Sequence, residues 1–184
     1  MAKISHTLEY WAAFAGVKMA QMLSPRWADR FGGWLGAAAG RVLTSRRRIA
    51  MENLRQAMGN ELAEPQRRQI VDDVFRNTGR TLIEFARFGV IGRDGVRRLV
   101  DSPDFPELHQ AMARGKGAIV VTAHFGCWEL LGAWAGTHGY PMDFLMGTQH
   151  NTKIDELLVG FRKTMGVGVI QLSTSARSVF KALK

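Results

Sequence analysis

Residues 115–131 read GKGAIVVTAHFGCWELL, and the order of residue types in this stretch decides the fold expected for the chain. Gly115, Lys116 and Gly117 mark a turn. Residues 118–123 are an apolar, β-branched run with strand character. His124 and Gly126 follow, and a segment of helical composition then runs through Leu130, Leu131 and Trp134. Strand, polar residue, glycine and helix in that order set a titratable side chain at the carboxyl edge of a sheet, where open α/β sheets bind ligands. On one continuous helix the five-residue step from His124 to Glu129 would turn the two side chains about 140° apart. With His124 on the strand-to-helix turn and Glu129 in the first helical turns, they can meet. An imidazole held by a carboxylate keeps one tautomer and gains basicity at its other nitrogen, as a general base requires.

The surroundings of this stretch set the class. The 184 residues suffice for a domain with a real core. A net charge of +9, from 25 basic and 16 acidic residues, favours anionic partners such as an anionic bilayer, a phosphorylated lipid, nucleic acid or an acidic carrier protein. The single cysteine, Cys127, excludes an intramolecular disulfide and fits a reducing compartment. No run of 18 or more uncharged apolar residues encodes a spanning helix, and no clear signal peptide is present.

Upstream, residues 10–23 (YWAAFAGVKMAQML) carry apolar side chains at three- and four-residue steps. They read as a membrane-surface helix or short anchor, or equally as a terminal helix packed on the protein's own core. Ser24-Pro25 punctuates the chain. In residues 31–43, Gly32, Gly36 and Gly40 form one helical stripe that lets another backbone approach closely, and close packing on the first helix, in or on a bilayer, is expected. Arg46, Arg47 and Arg48 suit lipid headgroups or a solvated face. No aromatic residue is interleaved with them, which disfavours single-stranded nucleic acid.

Glu64-Pro65 starts a long helix whose buried stripe is expected to comprise Ile70, Val71, Val74, Phe75, Leu82, Phe85 and Ala86, with Gly79 as a weak point. Arg68, Arg76, Arg80 and Arg87 are assigned to its outer face. Residues 89–106 read as a loop with a short helix around 94–99, and residues 106–114 as a further helix. Residues 142–146 and 166–172 are expected strands. Between them lies a helix capped by Asn151 and Thr152, with Asp155 completing a capping-box pattern. Ser173 or Thr174 caps a last helix. About three strands result, fewer than most sheets have, so the domain is expected to be incomplete.

The string His124-Phe125-Gly126-Cys127-Trp128-Glu129 resembles the H-x4-D/E motif of the glycerolipid and lipid A acyltransferase superfamily. Arg48, Asn53-Leu54, Thr122-Ala123, Leu130, Gln149-His150-Asn151 and Ile154-Asp155 leading to Arg162 and Gly166 are similar to the bacterial lipid A biosynthesis (lauroyl/myristoyl) acyltransferases. Cys127 stands where family members often carry asparagine, which argues against a cysteine acyl-enzyme. The resemblance implies an α/β fold: a membrane-associated helical segment over residues 1–45, then an acyltransferase domain over residues 46–184. That domain would be a mainly parallel or mixed sheet flanked by helices, its C-terminal part missing. It implies His124 as general base and Glu129 as the carboxylate that orients it. Arg162, Gly126 and Asn151 would bind substrate. No cofactor is implied. The donor would be an acyl carrier protein thioester or acyl-CoA, and the acceptor a phosphorylated glycolipid, the lipid A precursor. The site would lie at the cytoplasmic face of a bacterial inner membrane.

Three other readings compete. Cys127 with His124, His138 and His150 makes a poor zinc set, lacking a second pair at recognised spacing. Transfer to another glycolipid keeps the same chemistry. A non-catalytic basic protein binding membrane or nucleic acid would show no turnover, although nucleic acid is not the expected partner.

Overall fold

The structure is a computed structural model that describes residues 2–59, 61–101, 106–173 and 176–183. In chain order it contains α1 (Ala2–Met22), α2 (Pro25–Val42), α3 (Thr44–Met58), α4 (Glu64–Ala86), α5 (Phe88–Leu99), α6 (Pro106–Ala113), α7 (Trp128–Thr137), β1 (Met142–Met146), α8 (Thr152–Thr164), β2 (Val167–Gln171) and α9 (Ala176–Ala182). It divides into two compact units: Val17–Arg87, and the residues up to Gly16 together with those from Phe88 onward. The described residues are thus mostly helical, with a two-stranded parallel sheet.

In the Val17–Arg87 unit, α2 lies against α4, and small residues set how closely. A Cβ built on Gly32 would come within 2.8 Å of the Arg80 Cα. One on Gly36 would run into the Phe75 carbonyl, and one on Gly79 into the Gly32 carbonyl. The glycine stripe therefore faces α4, not the first helix as its spacing suggested. The reason is that α4 brings a glycine of its own to the crossing. Gly79 is the contact that lets two backbones touch, and α4 continues unbroken through it.

The buried line of α4 follows this crossing through Val71, Gly79, Ile83 and Ala86, with Phe85 beside it. Val74 and Leu82, expected inside, are exposed. Ala20, Ala28, Ile83 and Ala86 form the centre of this core, with Val17, Leu23 and Phe31 packed on it. Arg87 is also buried, contrary to its outer-face assignment. Its Nη1 donates to the Ala20 carbonyl at 2.5 Å and to the Leu23 carbonyl, satisfying carbonyls that the end of α1 leaves open.

In the other unit β1 and β2 run parallel in the register Met142↔Val167 to Met146↔Gln171. The helix α8 forms the crossover that a parallel pair requires. Glycines again admit close neighbours: α7 receives the Phe144 ring at Gly132 and the Met165–Gly166 backbone at Gly136. From α5, Arg93 donates to the Gly136 carbonyl at 2.9 Å and Arg97 to the Thr137 carbonyl at 3.1 Å, capping the end of α7. Phe88, Val96, Thr137 and Met165 are fully buried.

Several expectations are corrected here. Residues 118–123 form no strand: the segment is irregular, and Ile119 and Val121 are 76% and 90% exposed. β-branched composition favours extension, but a strand is held by ladder partners and a buried face, and this segment has neither among the described residues. Among the described residues the sheet therefore has two strands, not about three. The short helix expected around 94–99 is present, but it extends back to Phe88 through residues 89–93, expected as loop, with a break at Gly92 (φ 65°, ψ 173°). Thr152 is the first residue of α8 and not its cap. Thr174, a candidate cap of the last helix, lies outside the described residues. No described helix is long and apolar enough to cross a membrane. The 21 residues of α1 would reach about 32 Å, but Lys3, Glu9 and Lys18 interrupt its apolar character.

Candidate active site

The helix α7 starts at Trp128, directly after the turn formed by residues 124–127. Gly126 makes this turn with φ +56°, a left-handed conformation that costs other residues about 1–2 kcal/mol. His124 sits on the turn and is exposed, its ring centroid 4.5 Å from that of Trp128. Glu129, one residue into α7, faces inward and is 6% exposed.

A carboxylate on an otherwise apolar helix needs a partner, and Arg162 of α8 supplies it. Its Nε donates to Glu129 Oε2 at 2.9 Å and its Nη2 to Oε1, a bidentate pair. Arg162 is itself 6% exposed. Its Nη1 lies 3.2 Å from the Sδ of Met146, the last residue of β1. The pair is therefore held at the carboxyl end of a parallel strand. That is the edge anticipated for the site, reached through a different strand from the one expected.

The structure brings Glu129 and Arg162 together. It does not join Glu129 to His124, for no hydrogen bond links them among the described residues. Arg162 makes no ion pair with Asp155, although both are on α8. Seven residues of helix separate the two by about 10.5 Å of rise. Asp155 is buried and accepts instead from the Gln149 backbone N–H at 2.9 Å and from Gln171 Nε2 at 3.3 Å, tying the start of α8 to the end of β2. This link was not anticipated. Only the burial of Asp155 beneath neighbouring chain, which spacing does not encode, reveals it.

Asn151 is the cap of α8, as expected: its Oδ1 accepts from the Lys153 N–H at 3.2 Å. Its Nδ2 donates to the His6 carbonyl at 2.8 Å and to Glu9 Oε2 at 3.1 Å. Its polar atoms are thus committed to holding α8 and α1. Tyr10 of α1 and Lys153, Glu156 and Leu157 of α8 line a cavity of about 440 Å³. No group of three or more His, Cys, Asp or Glu side chains among the described residues is arranged to hold a metal ion.

These features define a class: a parallel βαβ unit, a buried carboxylate–guanidinium pair at the strand end, and an exposed histidine on the turn that opens the helix before that unit. The sequence profile described as bacterial lipid A biosynthesis acyltransferase matches residues 1–184, and the chain belongs to that family. A lipid A biosynthesis acyltransferase of Haemophilus influenzae is 24% identical over 161 residues, covering 86% of this chain and 50% of that protein. A lipid A biosynthesis myristoyltransferase of Escherichia coli K12 is 24% identical over 160 residues, covering 85% of this chain and 49% of its own length. The chain thus spans about half the length of these curated relatives. No solved structure matches it.

Proposed function

We propose that the protein moves a fatty acyl chain from an acyl carrier protein thioester, or from acyl-CoA, to a hydroxyl of a phosphorylated lipid A precursor at the cytoplasmic face of a bacterial inner membrane. Family membership supports the reaction class. The observation that carries the site assignment is the buried Glu129–Arg162 pair at the end of β1, with Glu129 five residues after the exposed His124.

In this mechanism His124 accepts the proton of the acceptor hydroxyl as its oxygen attacks the thioester carbonyl. Backbone N–H groups at the start of α7 face the tetrahedral oxyanion. The intermediate collapses, the C–S bond breaks, and the imidazolium returns its proton to the departing thiolate. Glu129 steadies the imidazolium, as the carboxylate of a hydrolytic triad does. Its bidentate bond to Arg162 uses two of about four acceptor positions, leaving capacity for an imidazole N–H. Arg162, buried against Glu129, orients that carboxylate. Gly126 gives the turn its path. Asn151 contributes by fixing the start of α8. The net charge of +9 suits both an acidic carrier protein and a phosphorylated acceptor.

The test is an acyl-transfer assay with acyl carrier protein and CoA donors, comparing wild type with His124→Ala and Glu129→Ala. Loss of His124 is expected to lower turnover by more than about 100-fold, the low end for removing a general base. Unchanged turnover in both variants would sink the assignment.

A further inference from the structure

The helix α2 turns its glycines to α4 and leaves another face bare. Trp27, Trp34, Leu35 and Val42 are exposed along it, with the half-buried Phe31 and Ala38 completing steps of three and four residues. Trp27 and Trp34 are 62% and 63% exposed, and Val42 is also exposed. Phe31 stacks on Trp34, with ring centroids 5.9 Å apart. On the wheel of the helix, Arg26, Arg30 and Arg41 fall together along one flank of this face. The Arg30 guanidinium lies 5.4 Å from the Trp27 ring centroid. The acidic residue of α2, Asp29, is turned away and paired with Arg80 at 3.0 Å.

The basic flank continues into a cleft. Ala37, Gly40, Arg41, Arg47, Asp72, Phe75 and Arg76 enclose about 350 Å³ between α2, α3 and α4. Arg47 donates to Asp72 at 2.5 Å, while Arg41 and Arg76 bring further positive charge to the same carboxylate. Three guanidinium groups against one carboxylate leave the cleft suited to an anion. An apolar face whose indoles adjoin an arginine-lined edge has the form of a helix lying in a lipid interface.

We propose that this face of α2 docks the protein on an anionic phospholipid bilayer, with Trp27 and Trp34 entering the acyl boundary and a headgroup phosphate received by Arg41 and Arg76. This deepens the membrane part of the proposed function and is independent of its chemistry.

The test is co-sedimentation of the chain with vesicles of phosphatidylglycerol and phosphatidylcholine, against vesicles of phosphatidylcholine alone. Wild type is expected to bind the anionic vesicles and to lose binding as salt rises. Trp27→Ser with Trp34→Ser is expected to weaken binding at least about tenfold, through loss of buried apolar area. Arg41→Gln and Arg76→Gln are each expected to weaken it about fivefold. These side chains are at the surface, and circular dichroism checks that each variant is folded. His124→Ala is expected to bind vesicles like wild type, so failure of the catalytic assignment and failure of docking are read separately. Binding of the tryptophan variants equal to wild type, indifference to lipid charge, or tighter binding to single-stranded DNA through the same residues would each overturn the proposal.

Discussion

Removal of one member of the Glu129–Arg162 pair is the most direct perturbation of the site. Both side chains are 6% exposed, and both Glu129 oxygens accept from Arg162. Arg162→Met keeps most of the side-chain volume and strands a carboxylate beneath α8. Breaking a buried pair from one side costs about 3–5 kcal/mol, because the remaining charge has lost both water and partner. At about 3 kcal/mol the melting temperature should fall by roughly 6–12 °C for a chain of this size. Glu129→Met should cost a similar amount. The double variant should recover most of the loss, since an apolar pair of similar volume replaces a buried ion pair at little cost. Urea and thermal unfolding of the four proteins, followed by circular dichroism, measure the coupling. Single losses below about 1 kcal/mol that simply add would match an exposed ion pair and refute the buried arrangement.

Three further outcomes follow from other parts of the structure. Gly36→Ala should destabilise by about 1–3 kcal/mol despite alanine's better helix propensity, because its Cβ meets the Phe75 carbonyl. Gly16→Ala, with nothing within 4 Å of the new Cβ, should instead stabilise by up to about 1 kcal/mol; thermal melting compares the two. Gly126→Ala should cost about 1–2 kcal/mol at its positive φ, and Gly126→Asn less, in the same unfolding assay. The Arg47 guanidinium hydrogen-bonded to Asp72 holds that carboxyl below its usual range, with Arg76 and Arg41 assisting. A lowered folded-state value contributes stability above the unfolded value and loses it as pH falls through the folded one. Asp72→Asn should therefore cost at most about 1 kcal/mol at neutral pH for a pair this exposed. That difference should shrink as urea unfolding is repeated below the ordinary carboxylate range.

Much of the local structure is legible in the amino-acid order. Period-3.6 apolar spacing and Pro65 place α4, short apolar runs place β1 and β2, and Asn151 marks the start of α8. His124 falls on a turn and Glu129 in the first turn of a helix, as their neighbours require. Each of these follows from interactions within a few residues, and those are what residue order encodes. Long-range partners are different. The strand character of residues 118–123 is plain in composition, yet extension needs a neighbouring backbone, and those residues lie exposed. The stripe of Gly32, Gly36 and Gly40 signals a close approach without naming the helix that makes it; Gly79 on α4 does. Glu129 and Arg162 each look like site residues, but 33 positions separate them, and nothing in that spacing says that one carboxylate holds the other's guanidinium and leaves the histidine outside. Such pairings are settled when packed helices exclude water from a charge, which then must take whichever opposite charge the packing puts within reach.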